Sequence, residues 1–158
     1  MLLDLNKEEA YWLEKFSGEL PVLNLPSTHS RPPLKTYNGA NHELVLSEQT
    51  FQNVKKYAKE NACTPFMILL SALNGVLSRY THQTDIILGT PVSGRMHPEL
   101  EHQVGLYINT LPIRTTFEKN TTFSELVEIE KKCLQEAYSN ANYSFGDLVN
   151  KLNIQRDI

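Results

Sequence analysis

Asp85-Ile86-Ile87-Leu88-Gly89-Thr90-Pro91-Val92-Ser93-Gly94-Arg95 and Val104-Gly105-Leu106-Tyr107-Ile108-Asn109-Thr110-Leu111-Pro112-Ile113-Arg114 are the stretches that decide how this chain is read. Asp85 to Gly89 is a short apolar run bounded by turn formers, the pattern of a strand covered on both faces. Val104 to Thr116 is rich in β-branched and aromatic residues and predicts a second long strand. Pro112 cannot donate to a ladder, so it predicts an edge or a bulge within that strand. Asn109 is out of place among its apolar neighbours. A buried amide must find partners, so it either ties down neighbouring backbone or faces a polar channel. Between the strands, Gly89, Pro91, Ser93, Gly94 and Arg95 form a loop of unusual chemistry. Its glycines and proline fix one backbone path just after a buried strand, where ligands bind in α/β sheets; the same composition also makes a plain surface turn.

Working outward, Thr64 caps and Pro65 opens a helix whose Phe66, Leu69, Leu70, Leu73, Val76, Leu77 and Tyr80 follow helical spacing. Ile68 and Ala72 widen its apolar surface, so little of it is expected to face water. Ahead of it, Ser47 caps an amphipathic helix carrying Phe51, Val54 and Ala58 opposite Lys55, Lys56 and Lys59; Asn61 is expected to end it in the left-handed conformation. His42, Leu44 and Leu46 alternate with Glu43 and Val45, a third strand. An N-terminal helix from Asn6, its expected cap, to Phe16 ends at Gly18. Residues 19–40 then read as an extended connector, with Pro21, Pro26, Pro32 and Pro33 removing backbone donors. Downstream, Thr122 and Glu125 form a capping box for a helix bearing Phe123, Leu126, Val127, Cys133, Leu134 and Ala137, and a last short helix runs from Ser144 to Leu152. The interleaving predicts an α/β fold with helices layered on a small mixed sheet. So small a sheet leaves unpaired edges and apolar surface, which predicts continuation in a parent chain or self-association.

Of the 158 residues, 41% are hydrophobic and 21% charged, the balance of one soluble globular domain. No run of about 18 apolar residues and no basic-then-apolar N-terminus is present, so the sequence predicts no membrane partner and a cytoplasmic location. A net charge of -3 without a basic block argues against nucleic acid. Cys63 and Cys133 lie far apart in helix-like apolar patterns and read as reduced core thiols.

Catalytic signals are sparse. None of the five histidines, His29, His42, His82, His97 and His102, sits in a nucleophile-base motif, and each reads as a surface or capping residue. His97 and His102 flank Glu99 and Glu101 without zinc-ligand spacing, so no metal is expected. G-x-S-x-G, Walker A and G-x-G-x-x-G are all absent, which leaves hydrolase and nucleotide-binding readings without support.

In this order the segments resemble the C-terminal lobe of the condensation domains of nonribosomal peptide synthetases, relatives of chloramphenicol acetyltransferase. The resemblance begins at Tyr11-Trp12-Leu13 and Leu23-Asn24-Leu25-Pro26 before Arg31-Pro32, passes through Thr64-Pro65-Phe66 and the loop to Arg95, and is most specific at Val104 to Arg114. That stretch matches the family's I/V-G-x-F/Y-V/I-N-T-x-x-x-R motif. Where the family has H-Q-D-x-P-F-E, this chain has Asn140-Ala141-Asn142-Tyr143-Ser144-Phe145-Gly146, which keeps the Phe and loses the His, the Pro and both acids. The family's catalytic H-H-x-x-x-D-G is also absent, since no two histidines are adjacent; in the family it belongs to the N-terminal lobe. Gln155-Arg156-Asp157-Ile158 stands where R-D-x-S-R-x-P would begin.

The resemblance implies one lobe of the chloramphenicol acetyltransferase-like fold, with residues 1–158 a partial condensation domain. The implied reaction is attack of an acceptor aminoacyl amine on a donor acyl thioester, giving an amide. Both substrates would arrive on phosphopantetheine arms of carrier proteins, with no cofactor bound directly. The implied partners are the N-terminal lobe, donor and acceptor carriers and an adjacent adenylation domain. Gly89 to Arg95 would approach the lobe interface, Asn109 would brace the strand near the tunnel, and no residue here would be catalytic. A self-standing, non-catalytic binding module derived from this lobe is the alternative.

Overall fold

The computed structural model describes residues 5–27, 36–95 and 98–154. Arg31, Pro32 and Pro33 of the expected connector, His29, His97 and Gln155 to Ile158 lie outside these residues. Two strands, β1 (Asp85–Ser93) and β2 (Ile108–Thr116), pair antiparallel. The pairing runs one to one from Asp85 opposite Thr116 to Ser93 opposite Ile108. Pro112 faces Gly89 with no bulge, because in a two-stranded ladder every strand has an open edge on which a missing N–H costs nothing.

The expected strand at His42 to Leu46 does not form. Residues 36–47 carry no regular structure, and Val45 is 92% exposed. Alternation specifies a strand only where an edge receives it, and no described strand pairs with this segment. Nor is β1 covered on both faces: Ile86 and Thr90 are buried while Gly89, Pro91 and Ser93 are exposed.

Helices supply the rest of the layer. The first, α1 (Asn6–Lys15), starts after Leu5, with Asn6 inside the helix and no side-chain cap. In α2 (Glu48–Glu60), Ser47 accepts from the Thr50 amide as expected. Asn61 keeps a negative φ, and Ala62 takes the left-handed turn instead, at φ 47°. The Asn61 side chain adds to this end: its Nδ2 donates to the Tyr57 carbonyl at 2.9 Å, beside the bond that the Asn61 amide makes to the same carbonyl at 3.0 Å. Cys63 lies in the turn that follows rather than in a helix, half-buried, while Cys133 is buried, and both thiols are free.

Thr64 caps α3 (Pro65–Thr81) as its sequence predicts, accepting from the Met67 amide at 3.2 Å. One side of α3 is buried through Met67, Ile68, Leu70, Ser71 and Asn74. Contrary to expectation, the other side is wet: Phe66, Leu69, Leu73, Val76 and Tyr80 are each between 43% and 65% exposed. Their alternating spacing of three and four residues makes a single apolar seam along the helix. The capping box of Thr122 and Glu125 opens α4 (Phe123–Ser139), which lies against β2 and α3. Ser144 caps α5 (Phe145–Lys151), which touches β2 and α1.

The core lies where these elements meet. Trp12 of α1 and Phe16 at its end, Met67 and Leu70 of α3, Leu111 and Ile113 of β2, Leu134 of α4 and Leu148 of α5 belong to one buried cluster. Arg114 fastens α1 to the sheet: it grips Asp85 with Nη2 at 2.7 Å and Nε at 3.0 Å, and donates to the carbonyls of Lys15, Ser17 and Glu19. Among the described residues no single helix is long and apolar enough to cross a membrane.

Candidate functional site

The end of β1 carries the loop singled out by sequence. Pro91, Val92 and Ser93 pair with Thr110, Asn109 and Ile108. The Gly94 amide then donates to the Tyr107 carbonyl and closes the ladder. Space favours glycine here, since a Cβ on Gly94 would stand 3.0 Å from that carbonyl oxygen, a tight contact. At Gly89 a Cβ would meet the Thr110 methyl at 3.3 Å, so the facing strands pass closely there too.

Beyond the closure, the Arg95 guanidinium lies 4.2 Å over the ring of Tyr107, a cation–π contact. Its Nη1 donates to the Leu100 carbonyl, and its amide donates to Ser93 Oγ at 3.3 Å. Tyr107 is fixed in turn by its hydroxyl, which donates to Gln103 Oε1 at 2.7 Å. Pro91, Ser93, Arg95 and Tyr107 line one open cleft of about 430 Å³, with Leu106 and Ile108 on its rim. Val104, Leu106 and Ile108 project almost bare apolar surface beside it.

Asn109 belongs to a different cluster. Its Nδ2 donates to the carbonyls of Ala141 and Tyr143, at 2.9 and 2.8 Å, and its Oδ1 accepts from the amides of Thr110 and Phe145. Of the two alternatives open in the sequence, the structure selects the first: Asn109 ties down neighbouring backbone. The segment it holds is Asn140 to Phe145, further pinned by Trp12 Nε1, which donates to the Asn140 carbonyl at 2.9 Å. The Tyr143 hydroxyl donates to Glu9 at 3.0 Å, and Lys151 bonds the same carboxylate.

The structure thus brings Pro91, Ser93 and Arg95 together, gives Gly89 and Gly94 steric roles, and sends Asn109 elsewhere. Tyr107 as the platform for Arg95 was not foreseen. Nothing in local spacing marks a partner twelve positions away, and only the closure of the ladder creates it. None of this is arranged as acid–base machinery. His82 caps α3 in the left-handed conformation, His42 and His102 are exposed, and no group of His, Cys, Asp or Glu among the described residues is placed to hold a metal.

The family model for the condensation domain matches residues 3–158. The chain belongs to the condensation-domain family. It is 41% identical over 155 residues to bacitracin synthase 1 of Bacillus licheniformis, covering 98% of this chain and 3% of that protein. It is 40% identical over 154 residues to gramicidin S synthase 2 of Brevibacillus brevis, covering 98% of this chain and 4% of the relative. Among solved structures it matches holo-AB3403, a four-domain nonribosomal peptide synthetase bound to AMP and glycine, with a TM-score of 0.91 at 20% identity. That match covers 99% of this chain and 12% of the synthetase and bears on the fold alone. The mixed α/β layering expected from the condensation-domain resemblance is the fold found.

Proposed function

We propose that this chain is the part of a peptide-synthetase condensation domain that walls one side of the substrate tunnel and contributes docking surface, while the acid–base groups reside in the other lobe. The observation that carries the reading is the family match from residue 3 to 158, in a chain whose described residues hold no histidine set as a general base. The whole domain would join a donor acyl thioester to an acceptor aminoacyl amine, both delivered on phosphopantetheine arms of carrier proteins beside an adenylation domain. The bare apolar residues Val104, Leu106 and Ile108, next to the cleft of Pro91, Ser93 and Arg95, suit a surface covered by that lobe. Gly89 and Gly94 would keep the cleft's walls close, and Asn109 would hold the segment at the place of H-Q-D-x-P-F-E.

In this reading the chain alone forms no amide from carrier-bound donor and acceptor, and a construction that adds an N-terminal lobe carrying H-H-x-x-x-D-G does. Turnover by the chain alone would overturn it. A second reading, a non-catalytic binding module, draws support from Asn140 to Gly146, which lacks the acids of the family element and is nonetheless firmly held. The codons flanking this reading frame separate the two: in-frame H-H-x-x-x-D-G upstream supports the first, and enclosing stop and start signals support the second.

A further inference from the structure

Glu130, on α4, has no exposed surface. Its Oε2 accepts from Asn74 Nδ2 of α3 at 2.7 Å and from Thr115 Oγ1 of β2 at 3.0 Å, and both donors belong to buried residues. Among the described residues two buried side-chain polar atoms have no partner: the second carboxyl oxygen, Glu130 Oε1, and the amide oxygen, Asn74 Oδ1. These atoms belong to the same two groups that the bond from Asn74 Nδ2 to Glu130 Oε2 already joins.

As a carboxylate, Glu130 would bury a charge and leave two buried acceptors, its own Oε1 and Asn74 Oδ1, without a donor. As a carboxylic acid, its Oε1 becomes a donor, and the leftover pair becomes donor and acceptor. A single proton then satisfies both orphaned atoms. We propose that Glu130 is a proton-binding site, held as the neutral acid in a two-point clasp with Asn74: Nδ2–H to Oε2, and Oε1–H to Oδ1. The clasp joins α3 to α4 above β2.

The charged surroundings agree. α3 contributes only neutral groups at this place, its single charged residue, Arg79, lying exposed one turn further on. From β2 comes Thr115, while its neighbour Arg114 is engaged by Asp85. Lys15 of α1 pulls the carboxyl down from a distance, but its ammonium pairs with Glu136 at 3.6 Å. On α4 itself the nearby titratable group is Cys133, whose thiol burial pushes up. Desolvation outweighs the hydrogen bonds of Thr115 and Asn74 and the charge of Lys15, so the Glu130 carboxyl is raised above its ordinary value. A raised folded-state value means that the contribution is fully present below the ordinary glutamate range. It is lost as the pH rises through the folded midpoint.

The deciding experiment is a carbon-13 NMR titration of the glutamate side-chain carboxyls in the 158-residue chain. The expected result is one resonance, absent in Glu130→Gln, whose midpoint lies above those of the exposed glutamates. A Glu130 resonance titrating with or below the surface set overturns the proposal. Thermal melts give a second readout. Glu130→Gln supplies an N–H in place of the acid proton, so it is expected to melt no lower than the wild type at neutral pH and to remove the loss of Tm that the wild type shows above the glutamate range. Unchanged pH dependence in that variant overturns the proposal as well. If the variant fails to fold, selective labelling assigns the wild-type resonance and the titration alone decides.

Discussion

Asn109 Nδ2 reaches the carbonyl of Tyr143 at 2.8 Å, joining β2 to the entry of α5 across 34 positions of sequence. With the bonds to Ala141, Thr110 and Phe145, one amide organises the whole turn between α4 and α5. Asn109→Ala is therefore expected to lower stability by about 2 kcal/mol in urea denaturation, since it strands backbone groups as well as removing bonds. Asn109→Asp keeps the acceptor but loses the donors, and should be destabilised too. An unchanged midpoint in both would mean that the turn holds itself.

Arg114 serves α1 as Asn109 serves α5. A lysine in its place keeps the charge beside Asp85 but cannot form the fork that also reaches the carbonyls of Ser17 and Glu19. We expect Arg114→Lys to cost about 1 kcal/mol, the worth of one or two such bonds at a partly buried site, and to speed tryptic cleavage after Lys15. Cleavage at the wild-type rate would show that apolar packing alone holds the helix end.

On the acid side, Glu9 has the opposite sign to Glu130. The bond from Lys151, reinforced by that of Tyr143, holds its carboxyl below the usual value. The clasp of α1 to α5 is therefore present above the ordinary glutamate range and is lost as the pH falls through the folded midpoint. Glu9→Gln should flatten the acid limb of the Tm profile and leave neutral-pH melting little changed, because the pair is partly open to solvent and screened. A variant whose acid limb matches the wild type would remove Glu9 from the account.

The seam of Phe66, Leu69, Leu73, Val76 and Tyr80 should bind a hydrophobic dye in the isolated chain and promote concentration-dependent association. Replacing Leu73 and Val76 together by Lys is expected to reduce both signals, read by dye fluorescence and sedimentation velocity, without lowering Tm. Equal dye binding in the double variant would place the sticky surface elsewhere.

What the sequence made legible follows from the range of the interactions. The caps at Ser47, Thr64 and Thr122 are local chemistry, read three residues at a time, and these three are found, whereas the one expected at Asn6 is not. The strand expected at His42 to Leu46 failed because alternation says nothing about whether an edge is there to meet it. In α3, apolar residues all round predicted burial all round; burial also needs neighbours, and composition does not count them. Glu130 went unnoticed because its reason for being buried, Asn74, lies 56 positions away on another helix. The loop at Gly89 to Arg95 was legible as a special backbone path, whereas its stacking on Tyr107 was not.

Helix α1 is retained on the body mainly by side chains. Trp12 and Phe16 are sunk in the cluster, Arg114 holds the carbonyls at its end, and Glu9 meets Tyr143 and Lys151. In binding terms the first helix is a ligand of the rest of the molecule, with an aromatic anchor, a polar clamp and an ionic rim. Its covalent link sets its local concentration more than its pose. A separately supplied Leu5–Ser27 peptide should then complement a body spanning Thr36–Ile154, and the emission of Trp12, the chain's single tryptophan, would report its arrival.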